Sequence, residues 1–291
     1  MKRRLGRNEF VKSQGLGNDY LILDGSQLSF PLTPEAVRTI CDPHFGIGSD
    51  GILLVGPAVA GADVSVRIFN PDGGEAEKSG NGVRILAKFL WDHAYIACPE
   101  CAISTLGGPV RARLLLDGER VRTISAEMGR ATFQSGEIPV AGPPREVVGE
   151  PLLVDGERLT VTCVSVGNPH CVVFVERLEE GQVRRLGPKL EVHPSFPNRI
   201  NVQFAAVRGR DRVAILIWER GAGWTLASGT SSCAVVAACV RNGLTDRRVT
   251  VECPGGELAV VVTGGWELTL TGPVSEIGRG TLSADLVGRL T

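Results

Sequence analysis

No apolar run in the 291 residues approaches the length of a membrane span. The opening stretch, MKRRLGRNEF, is basic but leads into no apolar segment of the kind a secretory signal needs, so a cytoplasmic location is expected. Charge of one sign is also missing. The formal net charge is −1, and Lys and Arg are scattered rather than clustered, which argues against a partner with a phosphate backbone. No nucleic acid and no membrane is expected as a partner. Nucleotide signatures are absent as well: no Gly-x-Gly-x-x-Gly opens a helix, and no Gly-Lys-Ser/Thr phosphate loop occurs, so neither ATP nor a nicotinamide cofactor is implied. Paired cysteine motifs are scarce. Of eight cysteines, only Cys98 and Cys101 form a Cys-x-x-Cys, with His93 the single nearby histidine, and the pair reads as a solvent-facing turn rather than a zinc site. Cys41, Cys163, Cys171, Cys233, Cys239 and Cys253 stand singly in apolar segments, the pattern of reduced thiols used as small core residues. No metal is proposed.

What is present describes a globular chain, 43% hydrophobic and 22% charged, with room for two domains of medium size. ADVSVRIFNPDGG alternates apolar and polar residues and ends in a Pro-Asp-Gly turn, a strand running into a loop. DRVAILIWERGAG does the same further on. A single offset carries Val64 onto Val213, Val66 onto Ile215, Ile68 onto Ile217, Gly74 onto Gly223, Ser79 onto Ser228 and Gly80 onto Gly229. GLGNDYLILDG and SVGNPHCVVFV pair in the same way, Asn18 with Asn168, at an offset one residue longer. The chain reads as an internal duplication.

Each half is expected to be a mostly antiparallel β-sheet wrapped around one central helix, giving an α+β fold with pseudo-twofold symmetry. The expected domains are 1–126, with 276–291 returning to it, and 127–275. In each, a Ser-Gly pair opens a small-residue apolar run, EKSGNGVRIL and LASGTSSCAV, that reads as the first turn of a helix. Such a serine, taken alone, is an ordinary N-cap. Two at one offset, each behind a glycine loop, suggest more. Free backbone N–H groups and the helix dipole make such a mouth suited to a carboxylate. If the halves face one another, a small acidic metabolite fits the cleft between them, with one side chain on each face of its carbon.

At these residues the sequence resembles the diaminopimelate epimerase family, pyridoxal-independent enzymes that interconvert LL- and meso-diaminopimelate for lysine and cell-wall synthesis. The resemblance rests on KSQGLGNDYLILDG, CDPHFGIGSDGILL, RIFNPDGGEAEKSGNG, VSVGNPHCVVF, FPNRINVQF and ERGAGWTLASGT, in the family's order. It implies a cofactor-free isomerase acting on a small amino acid, and a homodimer is the assembly it leaves open. It further implies that Asn18, Asn70, Asn168 and Asn201 hold the amino and distal carboxylate groups, and that Glu219 and Arg220 sit at the distal amino-acid centre. The amides of Gly80, Asn81, Gly229 and Thr230 would bind the carboxylate at the reacting carbon, with His170 close by. Arg offers a forked donor to a carboxylate, Glu a counter-charge to an ammonium, and Asn both donor and acceptor.

The departure falls on the chemistry. The family places a cysteine at each mouth, and this chain has Ser79 and Ser228. A thiol titrates near neutral pH at a helix N-terminus, whereas an alcohol is a far weaker acid. Trp224, Ser231 and Ile85 are further departures nearby. Cys233, five residues into the second helix, reads as core rather than as a substitute thiol. Three readings follow: an engineered Cys-to-Ser variant made to trap substrate; a serine-type enzyme working on this or another amino acid as racemase, isomerase or dehydratase, as the related proline racemase and hydroxyproline dehydratase group suggests; or a binder that has lost turnover.

Overall fold

The computed structural model describes residues 3–290; Met1 and Lys2 of the basic opening stretch and Thr291 lie outside the described residues. The chain forms two compact units, 1–126 with 272–291, and 127–271.

The first unit begins with the antiparallel hairpin β1 (Glu9–Gly15) and β2 (Asn18–Asp24). Its two-residue turn, Leu16-Gly17, has both residues at positive φ, the primed geometry that matches strand twist. Helix α1 (Pro34–Cys41) follows, with proline at its first position and Thr33 Oγ1 accepting the Ala36 N–H at 3.2 Å. Then come β3 (Ile52–Gly56), parallel to β2, and β4 (Val64–Phe69), antiparallel to β3. The short β5 (Glu75–Ala76) folds back on β4 and delivers the chain to α2 (Gly80–Asp92). β6 (Glu100–Thr105) runs parallel to β4, and β7 (Gly108–Asp117) and β8 (Arg120–Arg130) continue as an antiparallel meander.

The second unit repeats this order. After the short edge strand β9 (Glu150–Val154) come the hairpin β10 (Glu157–Ser165) and β11 (Pro169–Phe174), and helix α3 (Glu180–Glu191). β12 (Asn201–Gly209) is parallel to β11, β13 (Arg212–Glu219) is antiparallel to β12, and β14 (Gly223–Thr225) folds back on β13. Helix α4 (Gly229–Arg241) precedes β15 (Arg248–Cys253), parallel to β13, and the antiparallel β16 (Gly256–Val262) and β17 (Glu267–Gly272). The chain then returns to the first unit with β18 (Ser275–Thr281), antiparallel to β1, and the single turn α5 (Ala284–Val287). The duplication is therefore one of topology as well as sequence.

Local sequence accounts for these elements. In β4 the inward Val64, Val66 and Ile68 are buried while Arg67 is exposed and forks onto Glu75 of β5 at 3.0 and 2.8 Å. Asn70 to Gly74 make the turn between them, with Asn70 N–H on Gly74 O at 2.8 Å and Gly73 N–H on Asn70 O at 3.0 Å. Gly73 sits at φ 90°, and a Cβ there would lie 2.7 Å from the Pro34 carbonyl oxygen, so only glycine fits.

The central helices are buried on nearly every face, from Gly80 to Ala87 in α2 and from Gly229 to Cys239 in α4. Burial of Ile85, Leu86 and Leu90 contributes about 1.5–3 kcal/mol each. The parallel strands are covered on both faces and accordingly read as near-continuous apolar runs. One face of β2 and β3 meets α2, and the other carries Leu21, Leu23 and Ile52 into a cluster with Val37 and Ile40 of α1 and Leu286 of α5. In the second unit Cys163, Cys171, Val202 and Phe204 pack under Val183, Leu186 and Leu190 of α3. One helix per half was expected; α1, α3 and α5 form an additional outer layer.

None of the eight cysteines is in a disulfide, and Cys233 is buried in α4. One expectation is corrected. Cys98 is exposed, but Cys101 is buried, because it occupies an inward position of β6, and burial pushes its thiol up to about 12. No helix among the described residues is long and apolar enough to cross a membrane.

Candidate active site

Ser79 is the N-cap of α2, with extended backbone (φ −134°, ψ 120°), and its Oγ accepts the Gly82 N–H at 3.0 Å. The phenol of Tyr20, on β2, donates to the same oxygen at 3.2 Å. Behind the mouth a polar chain fixes the neighbouring amides. Asn18 Nδ2 donates to Asp50 at 3.0 Å, Asn18 Oδ1 accepts from Asn81 Nδ2 at 3.2 Å, and Asn81 Oδ1 accepts from Arg84 Nη2 at 2.8 Å. Arg84 is wholly buried and also donates to the Gly80 carbonyl at 3.0 Å. A buried guanidinium thus adds positive charge beside the positive end of the helix dipole, which favours an anion there.

Ser228 caps α4 with the same extended backbone (φ −143°, ψ 128°) but makes no side-chain bond to the helix N–H groups. Its Oγ lies 3.5 Å from Thr230 Oγ1, and its carbonyl accepts the Ser232 hydroxyl at 2.9 Å. The two mouths share a backbone and differ in what their hydroxyls do. Ser79 Oγ accepts two donors; Ser228 Oγ makes no bond to the helix amides.

Around the second mouth, the parallel register of β11 and β12 sets His170 opposite Asn201. Asn201 Nδ2 donates to the Pro169 carbonyl at 2.9 Å and its Oδ1 accepts the Arg220 N–H at 3.0 Å, tying the end of β13 to the Asn168 turn. His170 is completely buried. Nε2 lies 2.9 Å from Asn168 Oδ1 and Nδ1 lies 3.1 Å from Gln203 Nε2, which in turn donates to Ser231 Oγ at 2.9 Å. Burial drives the His170 pKa down to about 3, so the ring is neutral, and its partners place the proton on Nε2. Glu219 ends β13 and Arg220 follows it in the turn, both half-buried, with Arg220 Nη1 on the Asn198 carbonyl at 3.2 Å. The following loop is anchored by buried Glu191, which accepts the Gly221 N–H at 2.9 Å and Trp218 Nε1 at 2.8 Å and pairs with Arg199.

Within the first unit, Asn18, Ser79, Gly80 and Asn81 come together, while Asn70 stands in the exposed turn after β4. Within the second, Asn168, His170, Asn201 and Arg220 are joined through hydrogen bonds, and Gly229 and Thr230 open α4. His170 has both ring nitrogens engaged inside the protein, so it positions Asn168. Tyr20, Arg84, Glu191 and Gln203 were not anticipated. Trp224 lies partly buried against the cluster beneath α3, with the Arg184 guanidinium 4.8 Å from its ring centre, a packing role.

A model of the diaminopimelate epimerase family matches residues 10–134 and 162–277. Diaminopimelate epimerase 2 of Nostoc sp. is 44% identical over 96% of each chain, and the diaminopimelate epimerase of Cyanothece sp. is 43% identical over 94% of this chain and 99% of its own. The chain belongs to the diaminopimelate epimerase family. Among solved structures the fold is similar to a hydroxyproline epimerase from Agrobacterium vitis (TM-score 0.72, 17% identity, 94% of this chain and 90% of that one). It is also similar to a PhzF-family phenazine biosynthesis protein from Bacillus anthracis (TM-score 0.66, 16% identity, 96% and 100%). This epimerase-family fold, two units each built on a buried helix, is the one the duplicated sequence pattern implied.

Proposed function

We propose that the protein is a pyridoxal-independent amino-acid epimerase that inverts the α-carbon of diaminopimelate between the LL and meso forms, with Ser79 and Ser228 at the proton-handling positions. The observation that carries this reading is the repeated hairpin-to-helix unit that places a serine N-cap at the head of each buried central helix. Inversion through a planar carbanion needs one group for each face, and the reading assigns one mouth to each. The amides of Gly80, Asn81, Gly229 and Thr230 take the α-carboxylate, Asn18, Asn70, Asn168 and Asn201 the amino and distal carboxylate groups, and Glu219 and Arg220 the distal ammonium and carboxylate. His170 acts through Asn168. The carbanion is supported by helix-end amides and needs no cofactor in this reading.

The two hydroxyls suit different halves of the step. Ser79 accepts two hydrogen bonds, which stabilise its oxygen after loss of a proton and suit it to proton delivery. Ser228, whose oxygen is not occupied by the helix amides, suits proton uptake once its own proton has passed to solvent water: the alkoxide takes the α-proton and returns to the hydroxyl. A homodimer and a cytoplasmic location belong to the same reading, the first checked by light scattering.

The decisive experiment is incubation with LL-diaminopimelate in deuterated water, following deuterium at the α-carbon by mass spectrometry, with the Ser79→Cys/Ser228→Cys double variant alongside. Deuterium entry and appearance of the meso form with the unsubstituted chain are expected. Exchange by the double variant alone would overturn turnover by the serines and leave a binder of the same amino acid. Exchange by neither would remove diaminopimelate as the substrate.

A further inference from the structure

Tyr20 lies on β2 with its side chain turned toward the head of α2 and only 6% of its surface exposed. The ring packs closely against Gly51, where a Cβ would come within 2.7 Å of Tyr20 Cε1 and 2.4 Å of the Phe69 carbonyl oxygen. The ring therefore has little freedom, and the phenol is held at a fixed place. That place is 3.2 Å from Ser79 Oγ, on which the Gly82 N–H also converges at 3.0 Å. An alcohol oxygen has two lone pairs. With both receiving donors, the remaining Ser79 O–H bond is directed away from the helix amide and the phenol.

We propose that Tyr20 is a positioning residue for Ser79, holding its hydroxyl in one orientation and stabilising the oxygen when it carries negative charge. This rests on the proposed role of Ser79 in proton transfer. When Ser79 delivers its proton to the planar α-carbon, the O–H bond breaks and a C–H bond forms. The carbanion's electron pair becomes the C–H bond, and the O–H pair stays on Oγ as an alkoxide. The Tyr20 O–H and Gly82 N–H are the two donors on that anion, and a solvent proton restores the hydroxyl afterwards. A serine at a family thiol position lacks the intrinsic acidity of cysteine, and a second donor from outside the helix offsets part of that deficit. The second mouth has no such phenol: Ser228 Oγ meets the Thr230 hydroxyl at 3.5 Å. The device serves one face of the reaction.

The test separates this assignment from turnover. In the Ser79→Cys variant the sulfur takes the place of the serine oxygen, and its thiolate titration is followed by pH-dependent alkylation with iodoacetamide, read by mass spectrometry on the peptide of residues 79–84. Adding Tyr20→Phe, which keeps the ring and removes the donor, is expected to raise the titration midpoint by about half a unit or more, slowing alkylation about threefold below the midpoint. An unchanged midpoint overturns the proposal. In the chain with Ser79 retained, Tyr20→Phe is expected to lower kcat for α-proton exchange about tenfold and leave KM within twofold, whereas a loss of packing alone would show in the melting temperature and not in that split. A kcat that stays within twofold of the parent overturns it too. Should the parent show no exchange, the epimerase reading fails, and the alkylation arm still decides the role of Tyr20.

Discussion

Nε2 of His170 donates to Oδ1 of Asn168 at 2.9 Å while Nδ1 accepts from Gln203, so a neutral imidazole with a fixed proton orients an asparagine of the proposed substrate clamp. Burial holds this histidine at about 3, against an ordinary value near 6.5 in the unfolded chain. Between those values the unfolded chain binds the extra proton and the native one does not, so stability rises with pH. The contribution is fully present above about pH 6.5 and is lost as pH falls toward 3. From pH 6.5 to 4.5 the parent is expected to lose about 2 kcal/mol more than a His170→Gln variant, measured by urea denaturation at each pH. Parallel pH profiles would show that His170 is not the group responsible.

The caps of the two central helices differ in their bonding, and so should their contributions to stability. Ser79→Ala removes an N-cap bond and is expected to cost about 1 kcal/mol; Ser228→Ala, with no cap bond to lose, should cost ~0.5 kcal/mol or less. Both should abolish α-proton exchange. Urea midpoints for the two single variants check the first statement, and deuterium incorporation checks the second.

Arg220→Ala should weaken diaminopimelate binding by more than about tenfold, a loss of ~1.4 kcal/mol or more, measured by calorimetry. Arg220→Lys should recover only part of this, because a lysine lacks the planar fork. Unchanged affinity in the alanine variant would remove Arg220 from the clamp.

Glu191 is buried and gathers three donors from the Arg220 loop and its surroundings, Gly221 N–H, Trp218 Nε1 and Arg199. Glu191→Ala leaves the first two without their acceptor and is expected to cost about 2 kcal/mol of stability, with a weaker hold on substrate as the loop loosens. Glu191→Gln keeps one acceptor oxygen and should lose less in both measurements, denaturation and calorimetry.

The hairpin-to-helix units were legible because their signals are local: alternation in β4 and β13, glycine turns, and a serine at the start of a small-residue run. The outer helices were not. Helix α3 has no side-chain cap at its start and carries Pro188 inside, and α1 and α5 are short segments stabilised by packing on a sheet that local sequence does not display. Cys101 departs from the turn that the Cys-x-x-Cys spacing suggests because strand parity in β6 turns it inward. The Ser231–Gln203–His170–Asn168 chain depends on a parallel register and on the packing of a strand against α4, neither of which is written in neighbouring residues. Tyr20 is illegible in the sequence for a related reason: its partner, Ser79, lies far along the chain, and only the fold brings the two hydroxyls together.

Equal spacers separate the folded-back strand from the helix in both units. Glu77, Lys78 and Ser79 bridge β5 and α2, and Leu226, Ala227 and Ser228 bridge β14 and α4. A helix turns by roughly 100° per residue, so one residue added to or removed from either bridge would swing that helix mouth by about a quarter-turn while its strand stayed in place. The bridge length thus works as a ruler, setting the bearing of the reactive hydroxyl, and variation in length among descendants of this fold should gather in the outer connections and spare these two.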